Sequence, residues 1–319
     1  MNLLLAGDFD AAERDDWASA LRAALPGHRL CLARGELPDD TIEAAIVANP
    51  LPGGLAGLPR LRLIQSLWAG VDRLLADTSL PPGVPIARMV DPAMNQAMAE
   101  TALWATLALH RGFFTYGAQQ RAGRWQPLGQ RRADELPVLV LGFGQMGRAV
   151  ARALLRQGYP VAVWRRGASP SDQMIDPTLA GVTLHTGSAA LAAALPRAQV
   201  LINLLPLTPD TRGLLDAHLL AALPRGAGLV NLARGAHLVD TDLLAALASG
   251  QIGQAVLDVF DAEPLPAEHP YWRHPQVTVL PHVAALTDAR SAAAAVARNI
   301  DALARGAPLQ HLVLHGRGY

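Results

Sequence analysis

The feature that most restricts the fold is an alternation. Short apolar runs, each about the length of a buried strand, are separated by Ala- and Leu-rich segments along almost the whole chain. That pattern belongs to strand, helix, strand units, which build parallel sheets covered on both faces. The runs of the first half are Leu3 to Ala6, Arg29 to Ala33, Ala44 to Ala48, Leu61 to Leu67 and Val84 to Val90, enough for one small sheet. After a long helical segment from Ala93 to Phe114 and a polar stretch from Gln119 to Glu135 comes a second series. It comprises Leu136 to Leu141, Pro160 to Trp164, Val182 to His185, Gln199 to Leu205, Gly228 to Leu232, Gln254 to Phe260 and Val277 to Leu280, enough for a larger parallel sheet. The tail from Thr287 to Gly306 is helical again and can return to the first sheet. A chain of 319 residues fits two domains. The expected division puts residues 1–97 and 287–319 in one and 98–286 in the other.

Charge excludes some partners. Lys plus Arg equals Asp plus Glu at 27 each, and only 17% of residues are charged, so no global field draws the chain to nucleic acid or to an anionic membrane. Cys31 is the single cysteine, which rules out an internal disulfide and any multi-cysteine metal site; no metal is expected. The opening MNLLLAGDFDAAERDD has no basic n-region or long apolar h-region and reads as a first buried strand. No run reaches the roughly 18 apolar residues of a membrane helix. The expected setting is the cytoplasm, and the expected partner a small molecule or a second copy of the chain.

Gly142, Gly144 and Gly147 spell G-x-G-x-x-G. In a chain with 28 glycines the triplet alone is a weak signal. Here it follows an apolar strand, opens a helix and precedes another strand ending at Trp164, the setting of a dinucleotide-binding unit. Gly142 allows the tight turn, Gly144 lets a pyrophosphate approach the backbone, and Gly147 lets helix and strand pack closely, with phosphate charge meeting the helix N-terminus. Where an NAD-selective protein presents an acid to the adenine ribose, this chain has Arg165 and Arg166. Guanidiniums there can pair with a 2′-phosphate, so NADP(H) is the expected cofactor and NAD(H) the alternative. Two solvated strand-end arginines are the plainer reading.

Arg234, Glu263 and His282 each fall just beyond the C-terminal end of an expected strand, the edge at which open α/β sheets bind ligands. Reduction of a 2-oxo acid needs a cation for the substrate carboxylate, a proton donor for the carbonyl oxygen and a hydride source. Arg234, His282 and NADPH can supply them, while a carboxylate such as Glu263 beside an imidazole favours its charged form. Taken singly, His282 can be a packed histidine, Glu263 a loop acid and Arg234 a helix-terminus charge; their joint occurrence points to chemistry. His269 and His274 lie in the loop before a strand, on the opposite side of the sheet, and read as structural.

The sequence resembles the D-isomer-specific 2-hydroxyacid dehydrogenases, within them the glyoxylate/hydroxypyruvate reductase A branch. The likeness spans essentially the whole chain. It rests on SLWAGVDRLL, LGFGQMG, VLINLLPLTPDTRGLL, LVNLARGAHLVDTDLLAAL, AVLDVFDAEPLP, YWRHPQVTVLPHVAALT and the terminal RGY. The resemblance implies two Rossmann-like domains with parallel sheets, the smaller flavodoxin-like, substrate-binding and made from both chain ends, the larger dinucleotide-binding, with the active site in the cleft between them and a homodimer formed largely through the cofactor domain. It implies Arg234 as carboxylate clamp, His282 as acid in reduction and base in oxidation, and Glu263 as its partner. The backbone of Ala69, Gly70 and Val71 should bind the substrate carboxylate. Trp68 stands where glycine is common, and its ring either narrows the pocket or packs under the loop. Asp258 should meet the nicotinamide carboxamide, and the turn with Leu204, Leu205, Pro206 and Thr208 should flank the nucleotide. Gln145, Met146, Trp164, Leu232 and Ala233 complete the expected cofactor contacts.

Two other readings stay open at this level. One is a relative acting on bulkier or phosphorylated 2-hydroxy acids, for which Arg73 and Arg88 are the nearest extra cations. The other is a non-catalytic NAD(P)H-sensing protein, which has no need to keep Arg234, Glu263 and His282 together.

Overall fold

Each expected strand is present, and most are shorter than the apolar run that announces them, because hydrogen-bonded pairing stops before apolar side chains do. The structure, a computed structural model, describes residues 1–167 and 176–314; the terminal motif Arg317 to Tyr319 lies outside the described residues. The first five strands are β1 (Asn2–Gly7), β2 (Arg29–Cys31), β3 (Ile42–Ala48), β4 (Leu63–Ser66) and β5 (Ile86–Ala87). They form a sheet in the order β2-β1-β3-β4-β5, every pair parallel. Six of the seven residues of β3 are buried, as a central strand covered on both faces requires. The largest shortfall is β5. Pro85 has no N–H to give a ladder, and past Ala87 the backbone N–H groups of Arg88 and Met89 go to His311 O and Trp68 O instead.

Helix α1 (Ala11–Ala24) starts at Asp10, whose carboxylate accepts the Glu13 N–H at 2.8 Å, and buries Trp17, Ala18 and Leu21 on one face. After the single turn α2 (Asp72–Leu75) and β5 comes α3 (Pro92–Arg111), which leads into the larger sheet. The last helix, α9 (Ala289–Arg305), returns to pack on α1 and ends at Gly306 in the left-handed conformation. The chain divides into two units, Met1–Met94 with Thr287–Tyr319 and Asn95–Leu286.

The segment from Ala93 to Phe114, expected as one helix, is broken. Gly112 adopts φ +71° and starts a second helix, α4 (Phe113–Arg121), which runs into the stretch read as polar linker. That stretch folds back, since the Leu128 N–H donates to the Tyr116 hydroxyl at 2.9 Å.

The second unit is built on β6 (Val138–Leu141), β7 (Val161–Arg165), β8 (Thr183–Thr186), β9 (Val200–Asn203), β10 (Ala227–Asn231), β11 (Ile252–Leu257) and β12 (Val277–Val279). Their order is β12-β11-β10-β9-β6-β7-β8, again all parallel. Alternate residues feed two cores. Leu139, Leu141, Leu201, Leu229 and Leu257 face one side, and Val138, Val140, Val200, Ile202, Val230 and Val256 the other. Truncating one of the leucines to Ala costs about 2–5 kcal/mol. The connections α5 (Gln145–Arg156), α6 (Ser188–Ala194), α7 (Ala217–Ala221) and α8 (Asp240–Ala248) lie between consecutive strands. The strand order reverses at β6, whose carboxyl end is the topological switch point where such sheets bind ligands. Among the described residues no helix is long and apolar enough to cross a membrane.

Candidate active site

The glycine turn sits at that switch point. Gly142 has φ +105°, which side-chain-bearing residues rarely adopt, and a Cβ there would stand 2.8 Å from Leu204 O. A Cβ on Gly147 would come within 2.1 Å of Gly142 O, so the helix and the turn close on each other only without one. At Gly144 nothing lies within 4 Å of the same position, and as N-cap of α5 it offers no side chain to the first-turn N–H groups. Open space in front of unsatisfied helix N–H donors, flanked by Gln145 and Met146, suits the phosphates of a dinucleotide. The Leu204 to Thr208 turn packs over this site, with Leu204 N–H bonded to Leu141 O at 2.8 Å. Leu205 and Thr208 are buried, and the Thr208 backbone N–H donates to Thr211 Oγ1 at 2.8 Å.

At the end of β7 the arginine pair divides its tasks. Arg165 is partly buried, whereas Arg166 is exposed and ion-paired with Asp210. Trp164 is buried in the core below this edge. Its ring is 5% exposed and donates its indole N–H to Gly187 O at 2.9 Å, while its carbonyl accepts the Gly142 N–H at 2.8 Å.

Arg234, Glu263 and His282 follow β10, β11 and β12, three neighbouring strands, so their loops share one edge. His282 Nδ1 lies 2.8 Å from Glu263 Oε2, and Glu263 Oε1 accepts the Phe260 N–H at 2.9 Å. Burial alone would push the Glu263 carboxyl up. The bonds from His282 and Phe260, with the charges of His282 and Arg234, outweigh it and hold the group below its ordinary value. An ionised carboxylate only accepts, so His282 Nδ1 carries the proton of this bond and Nε2 is the nitrogen turned to other partners. The His282 side chain is half exposed, as proton exchange with a ligand requires.

The backbone under His282 is strained and pinned. Its φ is +55°, a conformation that costs a non-glycine residue about 1–3 kcal/mol. Three bonds to Asp258 hold it: His282 N–H to Asp258 O at 2.9 Å, Val283 N–H to Oδ1 at 2.8 Å and Ala284 N–H to Oδ2 at 3.0 Å. Asp258 is 1% exposed; burial pushes its carboxyl up and the Val283 and Ala284 N–H groups pull it partly back. The residue expected at the nicotinamide carboxamide therefore already serves as the anchor of the His282 loop.

Gly235 ties the other two loops together. A Cβ there would overlap Phe260 C at 1.8 Å and Asp261 N at 2.2 Å, so the chain just after Arg234 lies directly on the chain just before Glu263. Leu232 and Ala233 are buried beneath Arg234, whose Nη1 donates to Ala233 O at 2.7 Å. Sequence reasoning passed over three fully buried polar residues of this edge, Asn203, Asn231 and His237. The first two end β9 and β10 at paired positions, and Asn203 Nδ2 donates to Asn231 Oδ1 at 3.0 Å. Two neighbouring apolar strands closing on Asn at the same register was the legible signal. His269 Nε2 pairs with Asp240 at 3.3 Å and its ring lies against Tyr271, remote in role from the Glu263–His282 pair.

In the first unit, Trp68, Ala69, Gly70 and Val71 follow β4 at the carboxyl edge of the smaller sheet. Trp68 N–H donates to Ser66 Oγ at 3.0 Å, and its ring meets the buried Trp17 edge to face at 6.4 Å between centroids. The ring thus packs against α1.

Comparison with known proteins agrees with this geometry. The family model for the D-isomer-specific 2-hydroxyacid dehydrogenase NAD-binding domain matches residues 103–284. A glyoxylate/hydroxypyruvate reductase A of Serratia proteamaculans is 42% identical over 313 residues, 96% of each chain. A D-isomer-specific 2-hydroxyacid dehydrogenase of Xanthobacter autotrophicus, solved with NADPH and MES, superposes with a TM-score of 0.92 at 40% identity, covering 100% of this chain and 99% of that one. An NADPH-dependent glyoxylate/hydroxypyruvate reductase of Sinorhizobium meliloti, solved with NADP and sulfate, gives 0.90 at 34% identity, covering 100% and 99%. The chain belongs to the D-isomer-specific 2-hydroxyacid dehydrogenase family.

Proposed function

We propose that the protein is an NADPH-dependent reductase of small 2-oxo acids, converting glyoxylate to glycolate and hydroxypyruvate to D-glycerate. The observation that carries the reading is the His282–Glu263 pair, held with Nε2 of a half-exposed ring left for a ligand. Its relatives' names supply the substrate class. When bound at the glycine turn, NADPH supplies the hydride. His282 Nε2 donates a proton to the carbonyl oxygen as charge develops there, and Glu263 stabilises the imidazolium and fixes the ring. Arg234 holds the substrate carboxylate by charge-assisted hydrogen bonds. In the first unit the backbone of Ala69, Gly70 and Val71 is the proposed further carboxylate ligand.

Arg165 and Arg166 are the proposed 2′-phosphate ligands. The Arg166–Asp210 pair is exposed, 43% and 70% at the side chains, and such pairs are worth only about 0–1 kcal/mol, so a phosphate can displace the carboxylate. The working form is proposed to be a homodimer formed through the cofactor unit.

The test is initial-rate oxidation of NADPH and of NADH with glyoxylate, hydroxypyruvate and pyruvate in parallel. Fast NADPH oxidation with glyoxylate or hydroxypyruvate is expected. Cofactor binding with no turnover of any 2-oxo acid would leave the protein a nucleotide sensor.

A further inference from the structure

The motif that contributes Arg234 also contributes a histidine that the proposed chemistry leaves unused. His237 is wholly buried, three residues beyond Arg234, in the single turn Gly235–His237. Its Nδ1 lies 3.1 Å from Arg234 O and its Nε2 lies 3.3 Å from Pro206 O. Both partners are carbonyls and can only accept, so a neutral ring donates to one of them and lies against the other, and only a doubly protonated ring donates to both. The ring therefore spans from the backbone of the proposed carboxylate clamp to the backbone of the turn that covers the glycine site.

That span closes a circuit. Leu205 N–H donates to Asn203 Oδ1 at 3.2 Å, Asn203 Nδ2 to Asn231 Oδ1 at 3.0 Å, and Asn231 Nδ2 to Arg234 O at 3.1 Å. From Arg234 O the path continues through His237 to Pro206 O, one residue on from Leu205. Thr211 Oγ1 also donates to Pro206 O at 2.8 Å, and the Leu215 N–H to His237 O at 2.8 Å holds the histidine's own backbone. Every member of the circuit is a short side chain or the main chain. Buried networks of this kind fix one geometry, because a single missing donor strands a carbonyl away from water.

We propose that His237 is a positioning residue that locks the Arg234 loop to the Leu204–Thr208 turn, so that the carboxylate clamp and the nucleotide-covering turn hold one fixed relation. This rests on the reading that Arg234 binds the substrate carboxylate. A clamp contributes equally to ground-state and transition-state binding, so its misplacement raises KM while leaving kcat nearly unchanged.

The test uses the intact enzyme saturated with NADPH and two variants, His237→Leu, which keeps an apolar body and removes the polar ring nitrogens, and His237→Gln, which keeps a donor in the slot. Two readouts are followed, steady-state KM and kcat for glyoxylate, and the dissociation constant of oxamate, an unreactive 2-oxo acid isostere, from the quenching of bound NADPH fluorescence. The leucine variant is expected to raise both KM and the oxamate constant about tenfold or more with kcat within about threefold, and glutamine to bring both back to within about threefold of wild type. An unchanged KM and oxamate constant in the leucine variant overturns the proposal. So do equal losses in both variants with kcat falling alongside, the mark of a merely structural role. Should the leucine variant not fold, glutamine alone decides: near-native constants support the positioning role, and a tenfold loss refutes it. Wild-type protein that binds oxamate without reducing any 2-oxo acid sinks the reductase reading, while the oxamate constants still report on His237.

Discussion

The left-handed backbone of His282 and the three hydrogen bonds that converge on Asp258 belong together. The strain orients the ring toward Glu263, and the buried carboxylate below keeps it there. None of this could be read from spacing, because the sequence marks Asp258 only as a polar residue at the end of an apolar run. The gathering of Arg234, Glu263 and His282 at one sheet edge was legible, since each follows a strand. The acid dependence of the pair follows from the direction of the Glu263 shift. Its folded value lies below the unfolded value of 4.5, so between the two the unfolded chain binds more protons and stability rises with pH. The contribution is complete above about pH 4.5 and is lost only as pH falls through the folded value. Glu263→Gln should therefore lower kcat by about a hundredfold or more. The difference in melting temperature between wild type and variant should be constant above pH 4.5 and shrink below it. A difference that starts to shrink at pH 6 would mean that Glu263 is not held ionised by its partners.

At the scale of elements, strand and helix existence was clear from the apolar alternation, whereas element ends were set by forces that composition does not carry. The break at Gly112 is one case. A single glycine within helix-forming residues reads as a tolerated interruption, and the turn becomes visible only when the left-handed φ and the packing of Leu128 over it are seen. Trp164 is another, for its place before two arginines did not show that its ring is buried in the core and bonded to Gly187 at the end of β8. What remains at the end of β7 for a ligand is the arginine pair. Replacing Arg165 and Arg166 together with alanine should raise the KM for NADPH at least about tenfold, since hydrogen bonds to charged groups are worth about 1.5–3 kcal/mol each. The KM for NADH should change by less than about threefold. Equal weakening of both cofactors in the same assay would show that neither guanidinium meets the 2′-phosphate.

For the whole molecule, the sequence announced both sheets in full, and their parallel pairing followed from the helical connections. The surface was less legible, because an apolar residue on a polar stretch looks like any other until its exposure is known. In the cofactor unit Trp125 is 99% exposed, Phe113 56% and Trp272 50%, aromatic surface of the kind that interfaces bury. Light scattering behind size exclusion should give a mass about twice the 33.7 kDa of one chain, and Trp125→Arg should shift it toward the single-chain mass. A wild-type mass of one chain would remove the dimer from the proposed working form.

His282, the proposed proton donor, hangs from β12, a three-residue strand at the edge of the larger sheet with no fully buried residue. Its Val277 and Val279 only partly bury themselves against the leucine core carried by the next strand. Beyond the strand pairing, the loop is held by one acidic residue at the end of the adjoining strand, which grips three successive peptide N–H groups through its carbonyl and carboxylate oxygens. Under warming, local opening is expected to begin at that grip, so that the site comes apart while nearly all of the architecture still stands.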